Sequence, residues 1–322
     1  MKIFTVIPAY NEAKHISDVI RQIPGEIHKI IVVDDCSKDN TYETVSSLKD
    51  KRIELIRHES NTGVGGAMVT GYRYALKEGA DIIIKIDGDG QMDPKLIPDI
   101  ISPIKNGEAD YTKGARFLDI ETIRQMPTVR LVGNIILSFL TKIVSGYWDI
   151  IDPTSGFTAI HREALSRLNL NKINHGFFFE SDMLINLYKI KAVVQDIQIP
   201  TQYGTEQSHL SLLEVSMTFP FFLISSLVKR ILWRYFIADF TAVSLFLFSG
   251  SLLFIFGFVF GLYNWIINAV ASVPTPTGTV MISVVTLIFG FQLLLQALVL
   301  DINNVPKVPL QIKGKALSRN SK

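Results

Sequence analysis

The densest cluster of potential chemistry in this chain is I-K-I-D-G-D-G-Q, Ile84–Gln91. An aliphatic strand there delivers two carboxylates, Asp87 and Asp89, to its carboxyl end, and alternate positions on an extended segment face one side. Hard oxygen ligands of this kind suit Mg²⁺ or Mn²⁺, which also bridges substrate phosphates. The same D-x-D occurs in many surface turns. Two further strand exits are polar. V-I-P-A-Y-N-E, Val6–Glu12, offers Tyr10 for stacking on a base and Glu12 for bonding a ribose or base edge; it equally fits a plain strand exit with Asn11 as a helix N-cap. V-V-D-D-C-S-K-D, Val32–Asp39, ends another strand with Asp34 or Asp35 placed to contact a nucleoside, or with a capped loop.

The elements that must carry these groups alternate along the first two thirds of the chain. Short β-branched runs at 3–7, 30–33, 53–56, 82–86 and 193–197 alternate with helical stretches at 13–22, 41–48, 65–77 and 95–105. Such alternation predicts βαβ units and a mostly parallel sheet covered on both faces. In open α/β sheets, ligands sit outside the carboxyl ends of the strands, where the polar loops fall. The glycine run G-V-G-G-A does not make a dinucleotide fingerprint: its sixth position is Met68, and it follows the third strand rather than the first.

In combination the order becomes specific: strand-P-x-Y-N-E, strand-D-D-x-S-x-D, N-x-G-x-G-x-A at Asn61–Ala67, then strand-D-x-D. It resembles the large inverting GT-A glycosyltransferase family. K-G-A-R (Lys113–Arg116), Arg130, D-P-T-S-G-F (Asp152–Phe157) and F-F-F-E-S-D (Phe177–Asp182) look like the polyprenyl-phosphate glycosyltransferases, the group that includes dolichol-phosphate mannose synthases. The resemblance covers roughly residues 1–210. It implies that Pro8, Tyr10, Glu12 and Asp35 hold the nucleoside, that Asp87 supports the nucleotide, and that Asp87, Asp89 and Gln91 serve the metal. It implies that Arg116 and Arg130 face the acceptor phosphate, that Asp152 and the Ser155–Phe157 turn frame the sugar, and that Glu180 and Asp182 lie where relatives keep an acidic sugar contact or base. The chain departs from the group in two places. Cys36 stands where glycine is usual, a residue suited to φ > 0. After Ile199-Pro200 the usual arginine is missing and His209 replaces a lysine, while Ser208 remains; both are phosphate-contact positions by resemblance.

The last third differs in composition. Of the 322 residues, 48% are hydrophobic and 19% charged, and the apolar excess lies toward the C-terminus. Residues 211–236 are apolar and aromatic and tipped with Lys229, Arg230 and Arg234, as expected of a helix lying in the headgroup layer or of a buried hairpin. From Thr241 to Leu300 there is no Asp, Glu, Lys or Arg. A bilayer span needs about 20 apolar residues, and the run divides at V-P-T-P-T-G, so two transmembrane helices are expected near 241–262 and 279–300. Tyr263 and Trp265 fall where an aromatic belt would be. The expected organisation is a catalytic domain at 1–210, juxtamembrane helices at 211–238, the two spans within 239–302 and a basic tail at 303–322. Basic residues flank the spans and the connecting loop has none, which places both ends and the catalytic domain in the cytoplasm. Gly250, Gly257 and Gly261 permit close helix approach and self-association. The helical stretch 128–148 fits either a helix near the membrane, with Arg130 toward the acceptor, or a core helix.

Net charge is +2, with no basic footprint for nucleic acid. The single cysteine, Cys36, excludes an intrachain disulfide. The N-terminal apolar run is too short for a signal peptide and fits a strand. The expected reaction is transfer of a sugar from a nucleotide sugar to a polyprenyl phosphate. A phosphate monoester is largely ionised at neutral pH, so Asp152 and Asp182 need only position the sugar, and attack opposite the leaving group inverts the anomeric centre. Two alternatives remain from the sequence: a processive membrane polysaccharide synthase of the same fold, whose Q-x-x-R-W is absent here, and a non-catalytic membrane adaptor.

Overall fold

A computed structural model of the protein describes residues 1–115, 128–176, 178–199 and 212–313. Arg116, Ser208 and His209 lie outside the described residues, as does the side chain of Arg130. The chain divides into two compact units, one of Met1–Leu227 with the segment from Pro306 onward, the other Val228–Val305.

The first unit is built on a seven-stranded sheet in the order β3-β2-β1-β4-β6-β5-β7. Its strands are β1 (Ile3–Ala9), β2 (Lys29–Asp34), β3 (Ile53–Arg57), β4 (Ile82–Lys85), β5 (Tyr111–Ala115), β6 (Thr158–His161) and β7 (Val194–Gln198). β1 pairs in parallel with β2 and β4, β2 with β3, and β5 with β7. β6 runs antiparallel between β4 and β5. The central strands are continuous aliphatic runs because both faces are covered; every residue of β1 is buried. Ile7, Ile30, Val32, Ile82, Ile84 and Phe157 belong to one core cluster with residues of helices Ile16–Gln22 and Ile97–Lys105. The edge strands β3 and β7 are only half-buried.

β5 and β6 escaped the sequence reading. Y-T-K-G-A places Lys113 and Gly114 inside the sheet, where composition argues against a strand. Lys113 is nevertheless fully buried, its ammonium donating to the Pro153 carbonyl at 2.6 Å. β6 is only four residues long.

Helix Thr128–Ser145 turns Ile135, Ile136 and Phe139 outward, each more than half exposed, while Thr141 and Val144 are buried. It is therefore not a plain core helix. Near the chain's end, helical residues 310–313 return to the sheet unit. The buried Asp110 carboxylate accepts the backbone N–H of Leu310 (2.9 Å) and of Gln311 (3.3 Å) as well as that of Val193 (2.9 Å). The Gln311 amide in turn donates to the carbonyls of Ile104 and Ala109.

The second unit contains two long apolar helices, Ala242–Val270 and Thr277–Asn303. Their 29 and 27 residues span roughly 40 Å at 1.5 Å per residue, beyond the ~30 Å of a bilayer's hydrocarbon core. The first helix runs past the expected end at Leu262, so Tyr263 and Trp265 sit within it. Asn264 and Asn268 continue it because their side-chain amides donate to the carbonyls four residues back, at 2.8 and 2.7 Å. The proline-rich turn then stops it, and the second helix starts directly after Pro276.

Small residues pair the two helices in antiparallel register. A Cβ on Gly250 would lie 3.0 Å from Leu293, one on Gly257 would lie 2.5 Å from the Thr286 hydroxyl, and one on Gly261 would strike Ser283. The Ser283 hydroxyl donates to the Gly257 carbonyl at 2.8 Å. The glycines expected to support self-association thus serve contacts within the chain. Outward-facing Phe248, Leu252, Ile288 and Phe289 are each at least 60% exposed. Arg230 is buried in this unit, forking onto both oxygens of Asp301 at 2.8 and 3.0 Å, with the Tyr235 hydroxyl on the same carboxylate. Its charge is therefore not presented outward as a headgroup contact.

Candidate active site

The site forms where β1, β2 and β4 end. The exits of β1 and β2 are laced to each other through backbone groups. The Asp35 N–H donates to the Ala9 carbonyl, the Asn11 N–H to Ser37 Oγ, the Glu12 N–H to Thr41 Oγ1 and the Ala13 N–H to Asp39 Oδ2, at 2.8 to 3.1 Å. Asn11, at φ +60°, accepts the Lys38 N–H with its side chain. It does not cap the following helix, whose N-cap position is His15. Cys36 has φ +63°, the left-handed region that explains why glycine is usual there.

Pro8 is buried, Glu12 half-buried and Tyr10 exposed at 40%. The Glu12 side chain lies beside the D-x-D loop, its Cγ 3.4 Å from where a Cβ on Gly88 would be. Asp34 and Asp35 part company. Asp34 is buried and pairs with Arg57 at 3.2 Å. Asp35 is an anchor for the Asn61–Gly63 loop. Its carboxylate takes the Thr62 N–H at 2.9 Å, the Thr62 hydroxyl at 2.9 Å, the Gly63 N–H at 2.7 Å and a His58 Nδ1 contact at 2.7 Å. His58 Nε2 meets Thr70 Oγ1 at 2.9 Å, which orients the ring.

β4 ends at Lys85, so the D-x-D sits in a turn and not on extended strand; the alternation argument for one shared face does not apply. Asp89 accepts the Gln91 N–H at 3.0 Å, which closes that turn, and Gln91 itself is exposed. Asp87 takes the Lys85 ammonium on Oδ1 at 2.7 Å. Lys85 is 1% exposed and also reaches Glu180 Oε1 at 3.2 Å and the Gly156 carbonyl at 3.3 Å. Burial alone lowers a lysine's pKa, but the carboxylates of Asp87 and Glu180 outweigh it, and the pKa of Lys85 is raised. Gly156 allows this close approach. A Cβ there would strike Asp87 Oδ2 and lie 2.7 Å from Lys85 Nζ.

Of the two acids in F-F-F-E-S-D, the structure brings Glu180 to the D-x-D. Both stand in the first turn of helix Phe179–Lys189, where the helix N-terminus favours negative charge. The Asp182 carboxylate accepts the Asn174 N–H at 2.8 Å and so holds the loop before that helix. This loop in turn packs on helix Val64–Lys77, where the Gly65 N–H donates to the His175 carbonyl. Asp152 is buried in the turn before β6 and takes the Thr154 hydroxyl at 3.1 Å, while the backbone N–H of Ile151 beside it goes to Asp196 at 2.5 Å. Among the described residues, no three His, Cys, Asp or Glu side chains cluster to hold a metal ion.

Lys85 and His58 were missed from sequence. For Lys85 the signal was present. A lysine inside I-I-I-K-I, a run that must be buried on both faces, is almost never found there unpaired, so it announces buried carboxylate partners.

The family model "Glycosyl transferase family 2" matches residues 5–168. The chain belongs to glycosyl transferase family 2. A UDP-N-acetylglucosamine–dolichyl-phosphate N-acetylglucosaminyltransferase from Methanococcus voltae is 36% identical over 221 residues, covering 64% of this chain and 87% of the relative. A dolichol-phosphate mannosyltransferase from Pyrococcus furiosus is 30% identical over 217 residues, covering 63% and 57%. The fold is also that of glucosyl-3-phosphoglycerate synthase from Mycobacterium tuberculosis, crystallised with Mn²⁺, UDP and glucosyl-3-phosphoglycerate. That structure aligns at TM-score 0.51 and 21% identity over 71% of this chain and 79% of its own. This family 2 member is thus a glycosyltransferase with a GT-A sheet and two candidate membrane-spanning helices.

Proposed function

We propose that the protein transfers a sugar from a nucleotide sugar to a polyprenyl phosphate at a membrane surface, with a divalent ion and with inversion. The observation that carries this reading is the meeting of Asp87, Glu180 and Lys85 beside the Asp89 turn at the strand ends, in a chain that also holds two bilayer-length apolar helices. The donor set fits Mg²⁺ or Mn²⁺: hard carboxylate oxygens on a half-buried turn, too few to enclose an ion, suit a site completed by substrate phosphates. Asp89, with Asp87 and Gln91, would hold the ion, which supplies charge neutralisation for the departing diphosphate. Pro8, Tyr10, Glu12 and Asp35 line the nucleoside end, where the laced loops keep them in place without substrate. Asp35 acts there through the Asn61–Gly63 loop it anchors.

The sugar lies toward Asp152, Ser155–Phe157 and Glu180. Glu180 is ion-paired, and Asp182 and Asp152 accept hydrogen bonds from their own loops. This arrangement suits positioning of the sugar and an acceptor that arrives ionised. Arg116, Arg130, Ser208 and His209 are the proposed contacts of the acceptor phosphate. The outward apolar face of helix Thr128–Ser145 and the exposed apolar surface of the hairpin support an integral membrane protein whose sheet unit works beside the bilayer. Basic residues flank the hairpin on both sides and its connecting turn has none, which supports cytoplasmic hairpin ends by the positive-inside rule.

The test is a transfer assay in detergent with Mn²⁺ or Mg²⁺, a polyprenyl phosphate and a panel of labelled UDP- and GDP-sugars. UDP-N-acetylglucosamine comes first because of the Methanococcus voltae relative. Label passing into the organic phase with one donor, and lost with Asp89→Ala, is the expected result. No transfer from any donor despite metal-dependent nucleotide binding would sink the polyprenyl acceptor.

A further inference from the structure

Lys85 closes β4 within an isoleucine run and is 1% exposed. An ammonium has three N–H groups, and each has an acceptor in this chain: Asp87 Oδ1, Glu180 Oε1 and the Gly156 carbonyl. None is left for a substrate, so Lys85 acts through its neighbours as a positioning residue. Those neighbours come from three elements: the exit of β4, the turn before β6 and the first turn of helix Phe179–Lys189. The Asp87 and Glu180 side chains are 29% and 16% exposed, so the pair stands at the mouth of the site with the cation beneath it.

Two carboxylates that converge on one point are what a hard divalent ion takes. Here an ammonium already occupies that point. Its seat is tight, since Gly156 has no Cβ to spare against Asp87 and Lys85.

We infer that Lys85 is an internal counter-cation that holds Asp87 and Glu180 against capture by a bare divalent ion, so that the ion binds firmly only together with a nucleoside diphosphate. The inference rests on the metal-dependent reading given above. With Lys85 in place, the protein side of the ion's shell is confined to the Asp89 turn and what Asp87 has left. A bound diphosphate would have to bring the remaining oxygens. Removing the ammonium frees two carboxylates at once, and the site becomes a better trap for the ion and a worse catalyst.

The experiment uses the full chain in detergent and titrates Mn²⁺ by its free-ion paramagnetic resonance signal, with and without UDP. Wild type is expected to bind Mn²⁺ weakly alone and at least about tenfold more tightly with UDP. Lys85→Met is expected to bind Mn²⁺ alone at least about tenfold more tightly than wild type, to lose most of the UDP dependence and to turn over more slowly. A merely structural lysine would on removal weaken Mn²⁺ binding or leave it alone, and either result in a folded variant overturns the inference. Lys85→Gln, a shorter neutral side chain that still carries an N–H donor, is measured in parallel. Should both variants unfold, the inference requires Mn²⁺ to restore the fold without UDP, read by thermal melting, and failure to do so overturns it. Absence of Mn²⁺-dependent UDP binding in wild type would instead reject the metal-dependent reading, whatever the variants do.

Discussion

Among the described residues, each unit of this protein contains a cluster built on a fully buried cation, and the two clusters differ in how they face water. In the sheet unit, Lys85 is covered, but its partners Asp87 and Glu180 are open at 29% and 16%. In the helical unit, Arg230 and Asp301 are both closed, at 2% and 9%, and the Tyr235 hydroxyl donates to the same carboxylate. An open cluster keeps lone pairs for a ligand. A closed one has only internal partners, and its removal leaves an uncompensated buried charge. The first cluster therefore suits the chemistry proposed for it, and the second the assembly of the hairpin with the segment that precedes it.

Variants at the two clusters should part accordingly. The largest effect is expected from Asp87→Asn, which removes a charge at the reacting end of the site. Turnover should fall about 100- to 1000-fold, with thermal melting in detergent little changed; equal loss of stability would erase the distinction. Next comes Arg230→Met, which should destabilise the helical unit by about 3–5 kcal/mol, measured by detergent unfolding. Replacing Asp301 by Leu in the same chain should recover most of that, and transfer per folded molecule should hold in the double variant. A loss of turnover there would give the closed cluster a role in chemistry.

Gly156→Ala sharpens the comparison within the sheet unit. The added methyl strikes Asp87 and crowds Lys85, so kcat should drop about tenfold or more through misplacement of the site, with a smaller change in melting. The smallest effect concerns Asp196, which accepts the Ile151 N–H beside the Asp152 turn. Burial raises its carboxyl pKa, opposed by that N–H and by Lys113. A carboxyl whose folded pKa lies above its unfolded value favours the fold most when protonated, and that contribution fades as pH rises through the folded pKa. Relative to Asp196→Asn, wild type should thus lose melting temperature between the acid range and neutrality; a flat difference would remove the buried-carboxyl account.

The local patterns were legible because each is a short-range property. Aliphatic runs bounded by Pro, Asn and Asp marked β1 to β4 and their polar exits, and the uncharged stretch from Thr241 to Leu300 marked both apolar helices. The misses have equally local causes. β5 and β6 lack a β-branched run, and their place in the sheet is set by pairing with β7 and β4. The first apolar helix is expected to end near Leu262, where about 20 apolar residues already span a bilayer, but it continues to Val270, with the Asn264 and Asn268 amides satisfied by carbonyls of the preceding turn.

The order of the amino acids dictates a list of parts: a strand-rich α/β unit, a D-x-D at a strand exit, and a hairpin of bilayer length. All of these follow from spacing and hydrophobicity over a few residues. The folded chain alone determines which charges meet. It chose Glu180 over Asp182 for the D-x-D, turned Asp35 onto the Asn61–Gly63 loop, set Arg230 against Asp301, and placed the backbone of Leu310 and Gln311 on Asp110. Ion pairs and carboxylate hydrogen bonds of this kind join positions tens to hundreds of residues apart. Such partners carry no period in sequence, and burial makes their pairing obligatory only once the chain has closed around them.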